Sequence, residues 1–263
     1  DLKQSVLDGT VAQERIDDAV RRLLRLKFSL GLFADPYAKE EFSNSIGAPG
    51  HRAVARQAVR ESLVLLKSEN GVLPLQPDRP LAVVGEHGHN SGLQSGGWSI
   101  HWQGQQESYR GATTILDGIR AVAKDVEYAP AGCHADMTAN TVVAVVGELP
   151  YAEMKGDSDQ LFLSDAHKQL VRGCKDLGKQ VVTVLVSGRV LAIKPELELS
   201  DAFVAAWLPG SEGAGVADFL FAADGFRPTG KSPYAWPVSV SDLPLSRFDK
   251  RALFPFGFGL QDY

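Results

Sequence analysis

The chain has few cysteines, no excess of basic residues and no long apolar run. Its two cysteines, Cys133 and Cys174, fall in different predicted elements, match no metal-ligand spacing and do not settle the redox compartment. The net charge is −5 at neutral pH, with no basic stripe, so nucleic acid is a poor partner. No segment approaches the roughly 18–20 apolar residues of a membrane span, and the start is not a signal peptide. The first residue is Asp1 rather than Met, which suggests a processed or partial chain.

Several motifs of known enzyme classes are also missing. There is no G-x-G-x-x-G or P-loop pattern, no serine flanked as in a nucleophile elbow, and no cysteine with a convincing histidine partner. Glu86, His87 and His89 lie together after an apolar run, but no fourth ligand follows at a convincing spacing. We therefore expect no metal ion and no cofactor.

The chain has the composition of a folded protein, with 44% hydrophobic and 22% charged residues among 263. Short runs rich in Val and Ala alternate with amphipathic stretches, which predicts an α/β fold: a mostly parallel sheet with helices on both faces. The strand-like runs are Leu81–Val84, Val126–Tyr128, Val142–Val146, Val181–Val186 and Phe203–Trp207. The predicted helices lie near Thr114–Lys124, Ser164–Leu177 and Gly213–Phe221.

The N-terminal segment, residues 1–33, is predicted to form two short helices. Thr10 and Gln13 have capping-box spacing, so we expect the second helix to begin at Thr10. Apolar residues then recur at helical spacing, and this stripe needs a packing partner that no preceding strand supplies. The stripe consists of Ile16, Val20, Leu23, Leu24 and Phe28.

These features divide the chain into three parts. Residues 1–33 are the N-terminal helices, residues 34–80 a linker and connecting helix, and residues 81–263 the α/β domain. The connecting helix is expected from about His51 to Leu66, with its apolar residues on one face.

A polar loop follows the most apolar predicted strand, Val142–Val146. After Gly147 come three carboxylates, a phenol and an ammonium group, at a position where open α/β sheets bind ligands. These are Glu148, Tyr151, Glu153, Lys155 and Asp157. An ordinary polar loop over a buried strand fits these residues equally well, so they leave both interpretations open.

Two tryptophans, Trp98 and Trp102, lie four residues apart in a polar, glycine-rich loop after the first strand of the domain. Flat rings outside any core pattern suit stacking on the apolar face of a sugar or a base. The alternative is that both rings pack under the loop. Arg189, which follows another strand, is as suited to a structural role as to ligand binding.

Taken together, several segments resemble the second domain of family 3 glycoside hydrolases. They fall in family order and cover nearly the whole chain, and the tryptophan-pair segment points to the branch of exo-β-glucanases and β-glucosidases. The segments are Arg60–Leu75, Gly96–Gly104, Val146–Asp157, Trp207–Gly213, Gly230–Pro237 and Phe254–Leu260.

The resemblance implies a role for each loop. Glu153 matches the general acid/base of a retaining enzyme, and Trp98 and Trp102 match an aromatic clamp around the substrate. Glu148 is the rival proton donor; together with Tyr151, Lys155 and Asp157 it is otherwise expected to support Glu153. Burial and neighbouring acids would raise the pKa of the donor and Lys155 would lower it, and the sequence leaves the direction open.

The resemblance also implies what this chain does not contain. Family members carry the nucleophilic aspartate on a (β/α)8-type barrel, and residues 1–33 match the last helix of that barrel. We therefore expect the isolated chain to be inactive and to need the barrel, on the same precursor or a companion chain. The implied substrate is a β-glucoside or β-glucan oligosaccharide, in the periplasm or outside the cell. A non-catalytic saccharide-binding α/β module is the alternative.

Overall fold

A computed structural model describes residues 1–263, which form two compact units, residues 1–48 and 49–263. The first unit contains the α-helices α1 (Leu2–Leu7) and α2 (Gln13–Ser29) and a 3-10 turn at Glu40–Ser45. The predicted start of the second helix is wrong, because α2 begins at Gln13 and its N-cap is Ala12, which makes no side-chain capping bond.

Most of the apolar stripe of α2 is exposed to solvent. None of the residues of α2 is buried, and Leu23 and Phe28 are 63% and 67% exposed. The predicted packing partner of this stripe is not supplied by the unit to which α2 belongs.

The second unit is built on a six-stranded sheet with the order β1-β6-β5-β4-β2-β3. Strands β2 to β6 are parallel, and only β1, at one edge, runs antiparallel, next to β6. The predicted mostly parallel sheet is confirmed. The strands are β1 (Val64–Ser68), β2 (Leu81–Val84), β3 (Val126–Ala129), β4 (Thr141–Gly147), β5 (Gln180–Val186) and β6 (Ala202–Trp207).

Helices cover both faces of this sheet, as predicted. They are α3 (Pro49–Ser62), α4 (Ile115–Val122), α5 (Asp165–Asp176), α6 (Lys194–Leu199) and α7 (Ala214–Leu220). Helices α3, α4 and α7 pack on one face through Val59, Ile119 and Val216. Helices α5 and α6 pack on the other through Val171 and Leu197. None of the helices is both long enough and apolar enough to cross a membrane.

One predicted helix is too long. The helix expected from His51 to Leu66 ends at Ser62, and Val64–Ser68 form the edge strand β1. Leu63–Leu66 are all buried, and Val64 and Leu65 pack into the cores on opposite faces of the sheet. Alternation between faces is the geometry of a strand. The functional division at residues 33 and 80 stays a prediction.

The strand order creates a switch point between β2 and β4. From β2 the chain goes outward to β3 at one edge, whereas from β4 it goes to β5 on the other side. In open α/β sheets, ligands bind in the crevice beyond the carboxyl ends of the strands at such a point. The loops after β2 and β4 therefore start side by side at the favoured position for a site.

A disulfide between Cys133 and Cys174 ties the loop after β3 to the buried side of α5. The two residues are 41 positions apart. A chain-entropy model assigns a loop of that size about 4 kcal/mol of stabilisation. The sequence spacing did not reveal this pairing, because disulfide connectivity depends on how distant elements meet.

Gly85, at the end of β2, provides a test of the switch-point geometry. Its φ is +89°, and a Cβ atom there would lie 2.1 Å from the carbonyl oxygen of Val145. We expect Gly85→Ala to lower the free energy of unfolding by about 2–4 kcal/mol in urea titrations. The matched control is Gly173→Ala in α5, where a Cβ meets nothing within 4 Å and should stabilise by about 0.5–1 kcal/mol. Equal effects of the two changes would contradict this geometry.

Candidate active site

The polar loop leaves β4 between two neighbouring strands. Six of the seven residues of β4 are buried, and a Cβ atom on Gly147 would lie 2.1 Å from the carbonyl oxygen of Val186 in β5. Only glycine allows the chain to turn out of the sheet this close to its neighbour. The side chains of residues 148–157 therefore project from the carboxyl edge of the sheet.

An ion pair anchors the base of this loop. Arg189 donates from Nε and Nη2 to Oε1 of Glu148, at 2.9 and 2.7 Å, and from Nη1 to the carbonyl oxygen of Gly156 at 2.6 Å. The Glu148 side chain is only 15% exposed. Arg189 thus joins both ends of the loop to the end of β5.

Tyr151 completes this anchor. Its hydroxyl donates to Oε2 of Glu148 at 3.1 Å, and its ring lies 4.2 Å below the guanidinium carbon of Arg189. Burial, and then the charge of Glu148, raise the pKa of Tyr151 well above its usual range. The phenol therefore remains protonated and continues to donate to Glu148.

Glu153, farther along the loop, is bound by both tryptophans. Nε1 of Trp102 donates to Oε2 of Glu153 at 2.6 Å, and Nε1 of Trp98 donates to Oε1 at 3.2 Å. The ring centroids of the two tryptophans are 6.4 Å apart. Trp98 is 71% and Trp102 45% exposed, so they do not pack under the loop, and their faces are open to a ligand.

Gln103 fixes the two loops to each other. Its amide nitrogen donates to the carbonyl oxygen of Glu153 at 3.1 Å, and its amide oxygen accepts from the backbone N–H of Ala152 at 2.9 Å. The loops also approach closely at Gly97, where a Cβ atom would lie 2.1 Å from the carbonyl oxygen of Tyr151. The position of Glu153 therefore depends on backbone contacts as well as on the indoles.

Three bulky residues of these loops have left-handed backbone conformations. Trp98, Ile100 and Met154 have φ values of +61°, +65° and +70°. Such conformations cost non-glycine residues on the order of 1–3 kcal/mol each and concentrate at functional sites. Because these residues lie within the tryptophan pair or next to Glu153, their conformations favour a functional role for this region.

The environment of Glu153 favours its ionised form. The hydrogen bond from Trp102 is the largest contribution, and it holds the pKa of Glu153 below its usual value. The residue is exposed, so the opposing effect of desolvation is too small to offset these hydrogen bonds. A proton donor near neutral pH needs the opposite shift, which must come from groups that cover this carboxylate.

Lys155 and Asp157 are not bonded to the Glu153 carboxylate. Both are exposed along the groove beside the loop, and neither makes a side-chain hydrogen bond or ion pair with Glu153. Of the four residues expected to support Glu153, Glu148 and Tyr151 form the loop anchor. The functional roles of all four stay predictions.

His87 lies behind the loop, inside the protein. It is fully buried, and its Nε2 is 3.1 Å from the carbonyl oxygen of Glu148. Burial lowers the pKa of His87 to about 4, so the ring is neutral at pH 7. His89, its neighbour in the 3-10 turn Glu86–His89, points elsewhere and pairs with Thr114.

The sequence identified the main side chains of this site but not their connections. It singled out Glu153, Trp98 and Trp102, which the fold brings into direct contact. It left the role of Arg189 open, and it missed Gln103 entirely. The only signal for Gln103 was its position next to Trp102, because its bonds to the second loop exist only in the fold.

Comparison with known proteins supports the family resemblance that the sequence motifs indicate. The model of the family described as "Glycosyl hydrolase family 3 C-terminal domain" matches residues 63–262. The chain is 33% identical to a lysosomal beta glucosidase of Dictyostelium discoideum, over 98% of this chain and 35% of that protein. It is 30% identical to a periplasmic beta-glucosidase of Salmonella typhimurium, over 97% of this chain and 41% of that protein.

Solved structures of similar enzymes superpose on this chain. An exo-1,3/1,4-beta-glucanase from a Pseudoalteromonas species superposes with a TM-score of 0.90 at 37% identity, covering 98% of this chain and 34% of that chain. A beta-glucosidase from Listeria innocua in complex with glucose gives a TM-score of 0.87 at 27% identity, covering 99% and 40%. The chain thus spans less than half the length of these relatives.

Removal of Arg189 tests the loop anchor. Arg189→Met leaves the mostly buried Glu148 carboxylate without its ion-pair partner, so we expect a loss of about 2–4 kcal/mol in the free energy of unfolding. The double variant Arg189→Met/Glu148→Gln should recover part of this loss, because no unpaired charge remains. The control is Arg227→Met, which breaks an ion pair with Asp262 whose side chains are 77% and 80% exposed; it should change stability by less than about 1 kcal/mol. An Arg189 effect no larger than that of the control would contradict the anchor.

Proposed function

Because the chain belongs to glycosyl hydrolase family 3, as that family's C-terminal domain, we propose that it supplies the general acid/base of a retaining, exo-acting β-glucosidase or exo-β-glucanase. Glu153 protonates the departing glycosidic oxygen, and Trp98 and Trp102 hold the sugar on the leaving-group side. The supporting observation is the Glu153 carboxylate itself, bound by both indoles on a loop that leaves the carboxyl end of β4.

Retaining hydrolysis needs two carboxyl groups about 5–5.5 Å apart, one as nucleophile and one as acid/base. Glu148 is a poor candidate for the donor, because both of its oxygens are engaged by Arg189 and Tyr151. The indoles also engage both oxygens of Glu153, but its side chain is exposed and can reach a substrate, whereas that of Glu148 is mostly buried. The nucleophilic aspartate lies on the barrel domain that the family resemblance implies, and without that domain this chain is inactive.

Assembly with substrate gives Glu153 the protonation state that the reaction needs. In this chain alone, its hydrogen bonds favour the carboxylate. Covering the carboxylate with substrate and the barrel removes water and brings the nucleophile's negative charge near it, and both effects raise its pKa. After the proton has been donated, the indole N–H groups stabilise the carboxylate that then activates the attacking water.

The exposed stripe of α2 is the proposed contact with the rest of that barrel. A helix with apolar residues at regular spacing and no buried position in its own unit needs a partner. The barrel is proposed to lie on the same precursor or on a companion chain. The proposed substrate is a β-glucoside or β-glucan oligosaccharide.

The disulfide supports a location in the periplasm or outside the cell. Disulfides persist in oxidising compartments and are rare in the cytosol, and Cys133 and Cys174 are joined in this structure. One relative is named periplasmic and another lysosomal. We propose a periplasmic or secreted protein.

A non-catalytic saccharide-binding module is the second candidate. The exposed faces of Trp98 and Trp102 favour it, because stacking on a sugar requires only these rings. The two candidates differ in what they require of Glu153, since stacking needs no proton donor.

Leaving-group dependence tests the catalytic role. In a protein that joins this chain to its barrel, Glu153→Ala should lower kcat/KM on unactivated β-glucosides by about 100- to 10,000-fold. Aryl glucosides with acidic leaving groups need little protonation, so the loss on them should be much smaller. Added azide should restore turnover and give β-glucosyl azide, because it needs no general base.

Asp159→Asn, an exposed carboxylate on the same loop, is the control and should leave kinetics unchanged. If Glu148→Ala shows the leaving-group pattern instead, Glu153 is not the donor. If the Glu153 variant keeps full activity while Trp102→Ala loses glucan binding, the binding-module function is correct.

A further inference from the structure

A cluster outside the acid/base loop is not explained by the proposed hydrolysis. Glu86 and His87 follow β2, and His167 lies in the first turn of α5. One carboxylate oxygen and one nitrogen of each ring all lie within 4.8 Å of one another. The cluster lies at the switch point of the sheet, between the carboxyl ends of β2 and β4.

We propose that Glu86, His87 and His167 form a binding site for a divalent transition-metal ion of the zinc type. The proposal concerns a site distinct from Glu153 and does not depend on the proposed glycosidase activity. The expectation of no metal rested on Glu86, His87 and His89. In the fold, His89 pairs with Thr114 and is not part of the cluster. The second imidazole of the cluster belongs to His167, which lies 80 positions after His87 in α5.

The hydrogen bond of His87 determines which of its nitrogens is free. A backbone carbonyl only accepts, so Nε2 of His87 must carry the proton that it shares with the oxygen of Glu148. This leaves Nδ1 with an unprotonated lone pair. Metal-binding histidines characteristically donate their other N–H to a carbonyl or carboxylate in this way.

Both imidazoles have an unsatisfied nitrogen inside the protein. Nδ1 of His87 and Nδ1 of His167 are buried and have no hydrogen-bond partner, and His87 as a residue is 0% exposed. A buried polar atom without a partner costs about 1–3 kcal/mol. A bound cation shared by the two lone pairs would remove that cost.

The donor set and its access favour one class of ion. Two imidazoles and one carboxylate suit zinc and its first-row neighbours, whereas Mg²⁺ and Ca²⁺ prefer oxygen ligands. Glu86 is exposed on the groove that His167 also lines, so an ion can enter from solvent. Three protein ligands leave further coordination positions for water.

The cysteines do not compete for the ion. Both are joined in the disulfide, and no free cysteine remains. A transition-metal ion bound by the oxidised protein must therefore use nitrogen and oxygen ligands, and this makes the histidine variants decisive.

Calorimetric titration with Zn²⁺ alone tests the site, using oxidised protein that has been stripped of metal and carries no affinity tag. We expect one ion per chain and a rise in melting temperature, with no such response to Mg²⁺ or Ca²⁺. Glu86→Gln and His167→Gln should each weaken Zn²⁺ binding by about 10- to 100-fold or more. Neither residue is fully buried, and melting curves without metal verify that both variants fold.

His89→Gln is the matched control, because His89 lies in the same 3-10 turn and outside the cluster. It should bind Zn²⁺ like the unmodified protein. Co²⁺ gives a second measurement: the visible absorption of a His-ligated cobalt site should appear in the protein and disappear in His167→Gln. Failure to bind Zn²⁺, or binding that survives both ligand variants, overturns the proposal.

Discussion

The ion pair between Arg189 and Glu148 is the interaction on which the candidate site depends. It closes the loop after β4 by joining its first residue to the carbonyl of Gly156, and it ties both to the end of β5. Tyr151 packs on the guanidinium and donates to the same carboxylate. Because Glu148 is mostly buried, its charge requires this partner. The loop therefore has a largely buried base, and this base supports the exposed segment that carries Glu153.

Two requirements of the proposed proton donor, a fixed position and a bound proton, oppose each other at this site. The two indoles place the carboxylate of Glu153, yet the same hydrogen bonds stabilise its charge. The proposed proton donor must be both positioned and protonated, and the contacts within this chain supply only the positioning. The left-handed conformations of Trp98 and Met154 show that the positioning itself costs backbone energy. This combination fits a half-site whose remaining contacts come from a second domain.

The sequence predicted those strands and helices whose residues follow one clear pattern. The apolar run of β4 and the helical spacing of α5 specified their elements within one or two residues. The edge strand β1 was missed, because a continuous apolar run directly after a helix reads equally well as its continuation. The tryptophans and Glu153 stood out by residue type and by resemblance to a family. The bonds of Gln103, the disulfide and the approach of His167 to His87 could not be found, since each joins elements that only the fold brings together.

The indoles of Trp98 and Trp102 hold Glu153 in place as an ionised carboxylate. An NMR titration of the carbon-13-labelled Glu153 carboxyl, in this protein and in Trp102→Phe, tests it most directly. Phenylalanine keeps a ring at that position but removes the N–H donor of the 2.6 Å hydrogen bond. We expect the pKa of Glu153 to lie below the usual glutamate value in this protein and to rise in the variant. A pKa at or above the usual value, unchanged by Trp102→Phe, would contradict it.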